Sequence, residues 1–339
     1  PLLLPSTMAV GRRCLSALLL AAVCHTSQGL AATPSFSPVI GILAEPIDWE
    51  NGGYLEAWYV KWIEAQGARV APLRFDAPRE KLEWVLSRLN GVLLPGGGTA
   101  IKVHSTYGSF SSYIFDYAVK NGMPIWGTCL GFEQLMLYSS GEMWPGPLSS
   151  GWKSEQLTLP LTLTEEGKTS SLVSDWPASL LQETSQQNVT WHFHQQGVSI
   201  KDFNSRPALG KFWRVISTNV DLRGEEFVSF AEARDGAPIF ASQFHPEKNL
   251  FEFEEGPLDG SNGVHSSAGV DMANRLAQHF VERARHFRAF DFLPKECWSA
   301  TISAWTPTMR FPGLPAHMPV YFFPPYSNTS EVDAATVDA

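Results

Sequence analysis

Four short, mostly apolar runs, each closing on glycine or a turn residue and followed by a helical pattern, restrict the possible folds of this chain more than any other feature. They are PVIGIL (38–43), ARVAPL (68–73), GVLLPG (91–96) and MPIWGTC (123–129). Such runs, without polar alternation, read as strands buried on both faces, the condition of parallel strands held between two helical layers. The helical patterns are YLEAWYVKWIEAQ (54–66), stopped at Gly67, PREKLEWVLSRL (78–89), with proline in its first turn, and residues 109–120. The alternation predicts an α/β fold, a doubly wound three-layer sandwich on a central, mostly parallel sheet. Sites in such folds form beyond the carboxyl ends of the strands.

From 151 to 245 the texture becomes β-like, with EQLTLPLTLT, EFVSFAEA and finally PIFASQFHPE, as expected of an antiparallel or mixed second half of the same domain. Residues 269–290 place Val270, Ala273, Leu276, Ala277, Phe280, Val281, Ala284 and Phe287 at helical spacing, which predicts an amphipathic helix packed on the sheet and not on a membrane. One domain over 36–293 is expected. The Pro- and aromatic-rich segment 294–339 is expected to lie extended on the surface and to end disordered in EVDAATVDA.

At the other end, Arg12 and Arg13, an apolar stretch from Cys14 to Cys24 and small residues at 29–32 read as a secretory signal within residues 1–31, with residues 1–7 ahead of Met8 resembling untranslated sequence. The expected destination is the extracellular space or the lysosome (vacuole), with no membrane association once the signal is removed. Acceptor sequons at Asn188 and Asn328 fit that route. The 34 acidic and 25 basic residues give a net charge of -9, with the acidic residues dispersed and no basic face to offer a phosphate backbone, so nucleic acid is not an expected partner.

The chemistry centres on GTCLG (127–131), where Cys129 stands on a strand-to-helix corner between two glycines. That is the setting of a nucleophile elbow. The N-terminus of the following helix is expected to favour thiolate there. A Cys129–Cys297 disulfide and a plain buried structural cysteine are the competing readings. In SQFHPE (242–247), His245 and Glu247 are two apart, so an extended backbone would turn both to one face, where the carboxylate can orient the imidazole as a base for the thiol. After the strand at 91–96, the glycines at 96–98 let backbone N–H groups near Gly97, together with that of Leu130, form an oxyanion hole. No G-K-[ST] follows them, against a phosphate loop. In HFH, His192 and His194 share one side of a strand, but no third metal ligand is placed.

LLPGGG, GTCLGFEQL and SQFHPE together resemble the class I glutamine amidotransferase-like family, of flavodoxin-like fold. The wider pattern resembles its gamma-glutamyl hydrolase branch: PVIGILAEP, YLEAWYVKWIEAQGARVAPLRFD, NGVLLPGGG, PIWGTCLGFEQLMLYSSGE, HFHQQGVSIKDF, QFHPEKNLFEF and, weakly, PVYFFPPYSN, over roughly residues 38–327. The resemblance implies a cysteine peptidase of folylpoly-gamma-glutamates that needs no cofactor and no metal. It implies Cys129 as nucleophile, His245 as base and later acid, Glu247 as orienting carboxylate, and Tyr54, Glu133 and His194 as active-site neighbours. It also makes a homodimer plausible. A poly-gamma-glutamate substrate calls for basic side chains at the pocket mouth, and Lys61, Arg69, Lys102 and Lys153 are available. A glutaminase supplying ammonia to a synthase, and a silent binding protein of the same fold, are the rival readings.

Overall fold

The computed structural model describes residues 34–47, 52–102, 104–253, 263–288, 300–309 and 318–326. The first half alternates as the apolar runs require: β1 (Val39–Ile47), β2 (Gly52–Glu56), α1 (Ala57–Glu64), β3 (Arg69–Arg74), α2 (Arg79–Leu86), β4 (Gly91–Leu94), α3 (Thr106–Asn121), β5 (Ile125–Thr128) and α4 (Leu130–Ser140). Then come β6 (Ser149–Leu159), α5 (Ala178–Gln186), β7 (Thr190–Gly197), α6 (Ile200–Asn204), α7 (Pro207–Phe212), β8 (Trp213–Val220), β9 (Glu226–Ala233), β10 (Ile239–Ser242), α8 (Lys248–Phe251), α9 (Ser267–Phe287) and β11 (Val320–Phe323).

The sheet runs β11-β2-β1-β4-β5-β10-β9-β8, with β3 also on β1. Pairings of β1 with β3 and β4, of β4 with β5 and of β5 with β10 are parallel, while β9 and β8 extend the sheet antiparallel. Alternate residues feed two cores. Val39, Leu43, Val92, Leu94, Ile125 and Ala241 face the layer of α2, α3 and α4. Ile40, Ile42, Leu93, Trp126 and Phe240 face α1 and α9. A strand covered on both faces has no solvent side to mark with polar residues, which is why the sequence runs are apolar without a period of two. Trp62 of α1 and Trp126 of β5 meet edge to face at 5.4 Å, and the Trp62 indole N–H donates to the Ala273 carbonyl of α9 at 2.9 Å.

The long amphipathic helix forms as expected, capped by Ser266, whose hydroxyl accepts from the Gly269 N–H. Its inner face differs in detail: Met272 is buried, while Val270 and Phe287 are half-buried. No helix among the described residues is long and apolar enough to cross a membrane.

Two expectations change. Residues 54–66 are not helical throughout, because Tyr54, Leu55 and Glu56 belong to β2 and the helix begins at Ala57. Antiparallel ladders with β1 on one side and β11 on the other hold these residues extended. Gly52 permits the second ladder, since a Cβ there would sit 2.6 Å from the Phe323 carbonyl oxygen. The C-terminal segment, expected to wrap the surface, supplies that edge strand, with Val320 and Phe323 fully buried. Between these regions, β6 and β7 form a separate two-stranded sheet, and the β-like run 155–164 leaves it at Pro160. Residues 1–31, Cys297, Asn328 and the terminal EVDAATVDA lie outside the described residues.

Candidate active site

β5 ends at Thr128 and α4 begins at Leu130, so the whole reversal falls on Cys129, at φ 50° and ψ -102°. A side chain in that region of backbone space carries strain of order 1–3 kcal/mol. The corner is held by hydrogen bonds from the Cys129 N–H to the Ser242 carbonyl (2.8 Å) and from the Gly131 N–H to the Pro95 carbonyl (3.0 Å). Both glycines are sterically required. A Cβ on Gly127 would lie 2.5 Å from the Gly131 oxygen, and one on Gly131 would lie 2.1 Å from the Leu94 oxygen. The Cys129 thiol is free, buried, and 3.7 Å from the Phe193 carbonyl of β7.

His245 and Glu247 follow β10 on a turn, not on the extended backbone expected. With Pro246 between them the turn still brings His245 Nδ1 to 2.7 Å from Glu247 Oε1, both side chains buried. Gly96 lies between this pair and the cysteine: a Cβ there would sit 2.6 Å from His245 Cε1 and 3.2 Å from Cys129 Cβ. Only a residue without a side chain lets the three groups converge.

The three pieces singled out in the sequence therefore meet at the carboxyl ends of β4, β5 and β10. They open on a cavity of about 610 Å³ lined by Gly97, Cys129, Leu130, Glu133, His194 and His245, among others. Tyr54 is not among the lining residues; its hydroxyl donates to Glu45 Oε2 at 3.2 Å beneath the glycine loop. Of the basic candidates, Lys102 lines the cavity, over the ring of Trp144 at 4.8 Å. Lys61, Arg69 and Lys153 are not among the lining residues; Lys61 stands over Phe251, and Arg69 donates to the Ser37 carbonyl. Asn188 is half-buried in the loop between α5 and β7.

The electrostatics are dominated by burial. Burial first, then the carboxylates of Glu133 and Glu247, pushes the Cys129 thiol well above its ordinary value, against the helix-terminal N–H of Leu130. Burial thus opposes the thiolate that the helix terminus was expected to favour. Burial raises Glu133 to about 7, with Gln243 Nε2 donating to its Oε1 at 3.4 Å. His192 and His194 do share a side of β7, their rings 5.5 Å apart. Thr190 Oγ1 lies 3.1 Å from His192 Nε2, and His194 Nδ1 lies 2.7 Å from the Gln196 carbonyl oxygen.

Burial lowers His194 from the ordinary 6.5 to about 4. The folded state therefore binds fewer protons there than the unfolded chain, and this group withdraws stability as pH falls from 6.5 towards 4. A His194→Gln variant should lose less stability than the parent over that window, read as the shift in urea midpoint between pH 7 and pH 4.5. Equal shifts would refute the assignment.

Sequence reading missed three neighbours. Tyr59 on α1 has its hydroxyl 3.2 Å from His245 Nδ1 and accepts the Gly96 N–H at 2.8 Å. It was hidden as one more aromatic at helical spacing. Lys248 lines the cavity, and although burial alone would lower it, Glu56, Glu247 and Glu252 hold its ammonium above the ordinary range. Glu45, buried at the end of β1, is the third. In sequence it is one carboxylate after an apolar run, and only its burial sets it apart.

Comparison with known proteins agrees with this arrangement. The Glutamine amidotransferase class-I family model matches residues 50–263. Gamma-glutamyl hydrolase of Mus musculus is 35% identical over 257 residues, covering 73% of this chain and 78% of the mouse protein. The Homo sapiens protein is 34% identical over 266 residues, 74% of this chain and 80% of the relative. Gamma-glutamyl hydrolase B of Dictyostelium discoideum is 31% identical, covering 76% and 74%. With family match and relatives spanning most of the described fold, the chain belongs to the gamma-glutamyl hydrolase family of hydrolases, within the class-I glutamine amidotransferases.

Proposed function

We propose that this protein hydrolyses γ-glutamyl bonds, most naturally those of folylpoly-γ-glutamates, through a thioester on Cys129. The observation that carries the reading is the meeting of Cys129 with the His245–Glu247 pair across Gly96, at the floor of a cavity large enough for a glutamyl chain. Membership of the gamma-glutamyl hydrolase family supports the linkage.

Because burial favours the Cys129 thiol over the thiolate, its proton leaves as the sulfur attacks. Glu247 holds His245 Nδ1, which leaves Nε2 to take that proton. The sulfur bonds to the γ-carbonyl carbon, and the carbonyl oxygen becomes an oxyanion facing the N–H groups at Gly97 and Leu130. His245 returns the proton to the departing nitrogen, the C–N bond breaks, and a γ-glutamyl thioester remains. Water then gives a proton to His245 and attacks the thioester carbon. The acid leaves and Cys129 recovers its proton. Glu133 and His194 contact the glutamyl residue being cleaved, and Lys102 at the mouth meets a substrate carboxylate. Arg12, Arg13 and the apolar stretch behind them support delivery through the secretory pathway, to the cell exterior or the lysosome, and the family resemblance alone supports a homodimer.

The test compares pteroyl-tri-γ-glutamate, an α-linked glutamyl peptide and free glutamine by mass-resolved chromatography. Cleavage confined to the γ-linked substrate is expected. Consumption of glutamine in preference would make the protein a glutaminase, and no turnover of any of the three would make it a binding protein.

A further inference from the structure

The glycine loop over the cavity is backed by a carboxyl group to which the cycle above gives no task. Glu45 is 3% exposed and sits opposite Tyr54 in the β1–β2 register. Its carboxyl fills the space that a side chain on Gly97 would need, since a Cβ there would overlap the Glu45 carboxyl atoms. It accepts hydrogen bonds from the Gly98 N–H, from Thr99 Oγ1 at 3.4 Å and from the Tyr54 hydroxyl at 3.2 Å. Among the described residues its other oxygen, Oε1, has no partner. Burying a carboxyl on these terms costs stability, and a leucine or methionine would fill the same space without that cost.

What the carboxyl does that an apolar side chain would not is hold two consecutive loop residues, Gly98 and Thr99, at a fixed height by hydrogen bonds. We propose that Glu45 is the positioning residue of the oxyanion loop: braced by Tyr54, it fixes Gly98 and Thr99 so that the N–H of Gly97 faces Cys129, and it thereby sets turnover and not substrate affinity. This rests on the reading of Gly97 as an oxyanion donor.

Protonation bears on the same device. Burial first, then the charge of Glu56, raises Glu45 to about 8, so the side chain is a neutral acid at neutral pH. The titratable groups facing it are Tyr54 and Glu56 from β2, Tyr107 from α3 and Cys129 from the corner. None is a cation able to compensate a new charge. Above about 8 the carboxyl takes on a charge that burial and Glu56 oppose, and the geometry of the loop is expected to change with it.

The experiment measures kcat and KM on pteroyl-tri-γ-glutamate, and the rate of Cys129 alkylation by iodoacetamide, for the parent, Glu45→Ala and Glu45→Gln. Alkylation needs the cysteine but builds no oxyanion, so it separates loop from nucleophile. In Glu45→Ala, kcat should fall roughly 30-fold or more, in line with the loss of an oxyanion donor, while KM and alkylation stay within about twofold. Glu45→Gln should restore kcat to within about threefold of the parent at pH 7. It should also lack the fall in kcat that the parent shows above about pH 8.

Parental kcat in Glu45→Ala, or a loss matched by slower alkylation or higher KM, would overturn the proposal. Should Glu45→Ala not fold, Glu45→Gln decides alone: the same alkaline fall as the parent overturns it. A parent that leaves the γ-linked substrate intact removes the oxyanion reading and this proposal together, and that result is visible before any variant is compared.

Discussion

A Cys129→Ala variant folds as the parent does and turns over a γ-linked glutamyl substrate more slowly by about four orders of magnitude or more. The size follows from the way such residues act as a unit: without the nucleophile, His245 and Glu247 have no proton to move, and only cavity binding and the backbone N–H groups still favour the transition state. Alanine keeps the Cβ and therefore the backbone strain at φ 50°, so the melting temperature should move by less than about 2 °C. Cys129→Gly makes an informative companion. It is equally inactive, but glycine accepts the corner conformation freely, and stability should rise by roughly 1 kcal/mol in urea unfolding. Strain retained at the one residue that attacks would then be measured directly. Retention of a tenth of the parental kcat/KM by Cys129→Ala would dismiss the thioester mechanism.

Gly131→Ala is the second large effect, and it acts through the fold. The added methyl would stand 2.1 Å from the Leu94 carbonyl oxygen and 2.8 Å from its carbon. Those atoms are backbone of β4, so relief requires moving the first turn of α4 away from the sheet. That movement stretches the Gly131 N–H bond to Pro95 at the start of the glycine loop. Overpacking of this kind costs about 3 kcal/mol, at the upper end for small-to-large changes because no flexible side chain can yield. Urea unfolding should show the loss. In whatever fraction stays folded, kcat should also fall at least tenfold, since Cys129 and Leu130 move with the turn. A Gly131→Ala protein with parental stability would mean that the corner is looser than described. Gly141→Ala provides the control for a generic glycine effect, because a Cβ at that C-cap meets nothing within 4 Å, although its φ of 71° strains the backbone.

The parts of the fold legible in the sequence are those whose signal is local. Continuous apolar runs mark strands covered on both faces, and β1, β4 and β5 carry that mark because helices pack above and below them. Helical spacing marks α9 because one face meets the sheet and the other meets solvent. Glycines at 127 and 131 mark the corner because a Cβ at either would strike backbone. Cys129, His245 and Glu247 could be paired from sequence because each stands at the end of a buried run, and parallel strands deliver such ends to one edge of the sheet.

Other features had no local signal. The edge formed by β2 and β11 joins segments more than 250 residues apart, and nothing in GGYLE or VYFF names its partner; the helical spacing of the residues after Tyr54 favoured a helix until the ladders decided otherwise. His245 and Glu247 meet on a turn and not on an extended run, so their contact depends on the start of α8. Tyr59 touches the imidazole only because α1 packs on that side of the sheet. The proton affinities of Cys129, Glu133, His194 and Glu45 are shifted by burial among elements distant in sequence, and for Cys129 that burial opposes the helix terminus.

The sequence by itself therefore determined the layered α/β class, the elbow and the identities of the three residues that meet there, since each rests on periodicity, steric need or side-chain chemistry within a few positions. Only the tertiary structure decided which carboxyls and imidazoles burial shifts, which tyrosine meets the histidine and which meets Glu45, and where the C-terminal segment pairs. Dielectric environment and cross-strand partnership are properties of what surrounds a residue in space, and neighbours in the chain do not specify them.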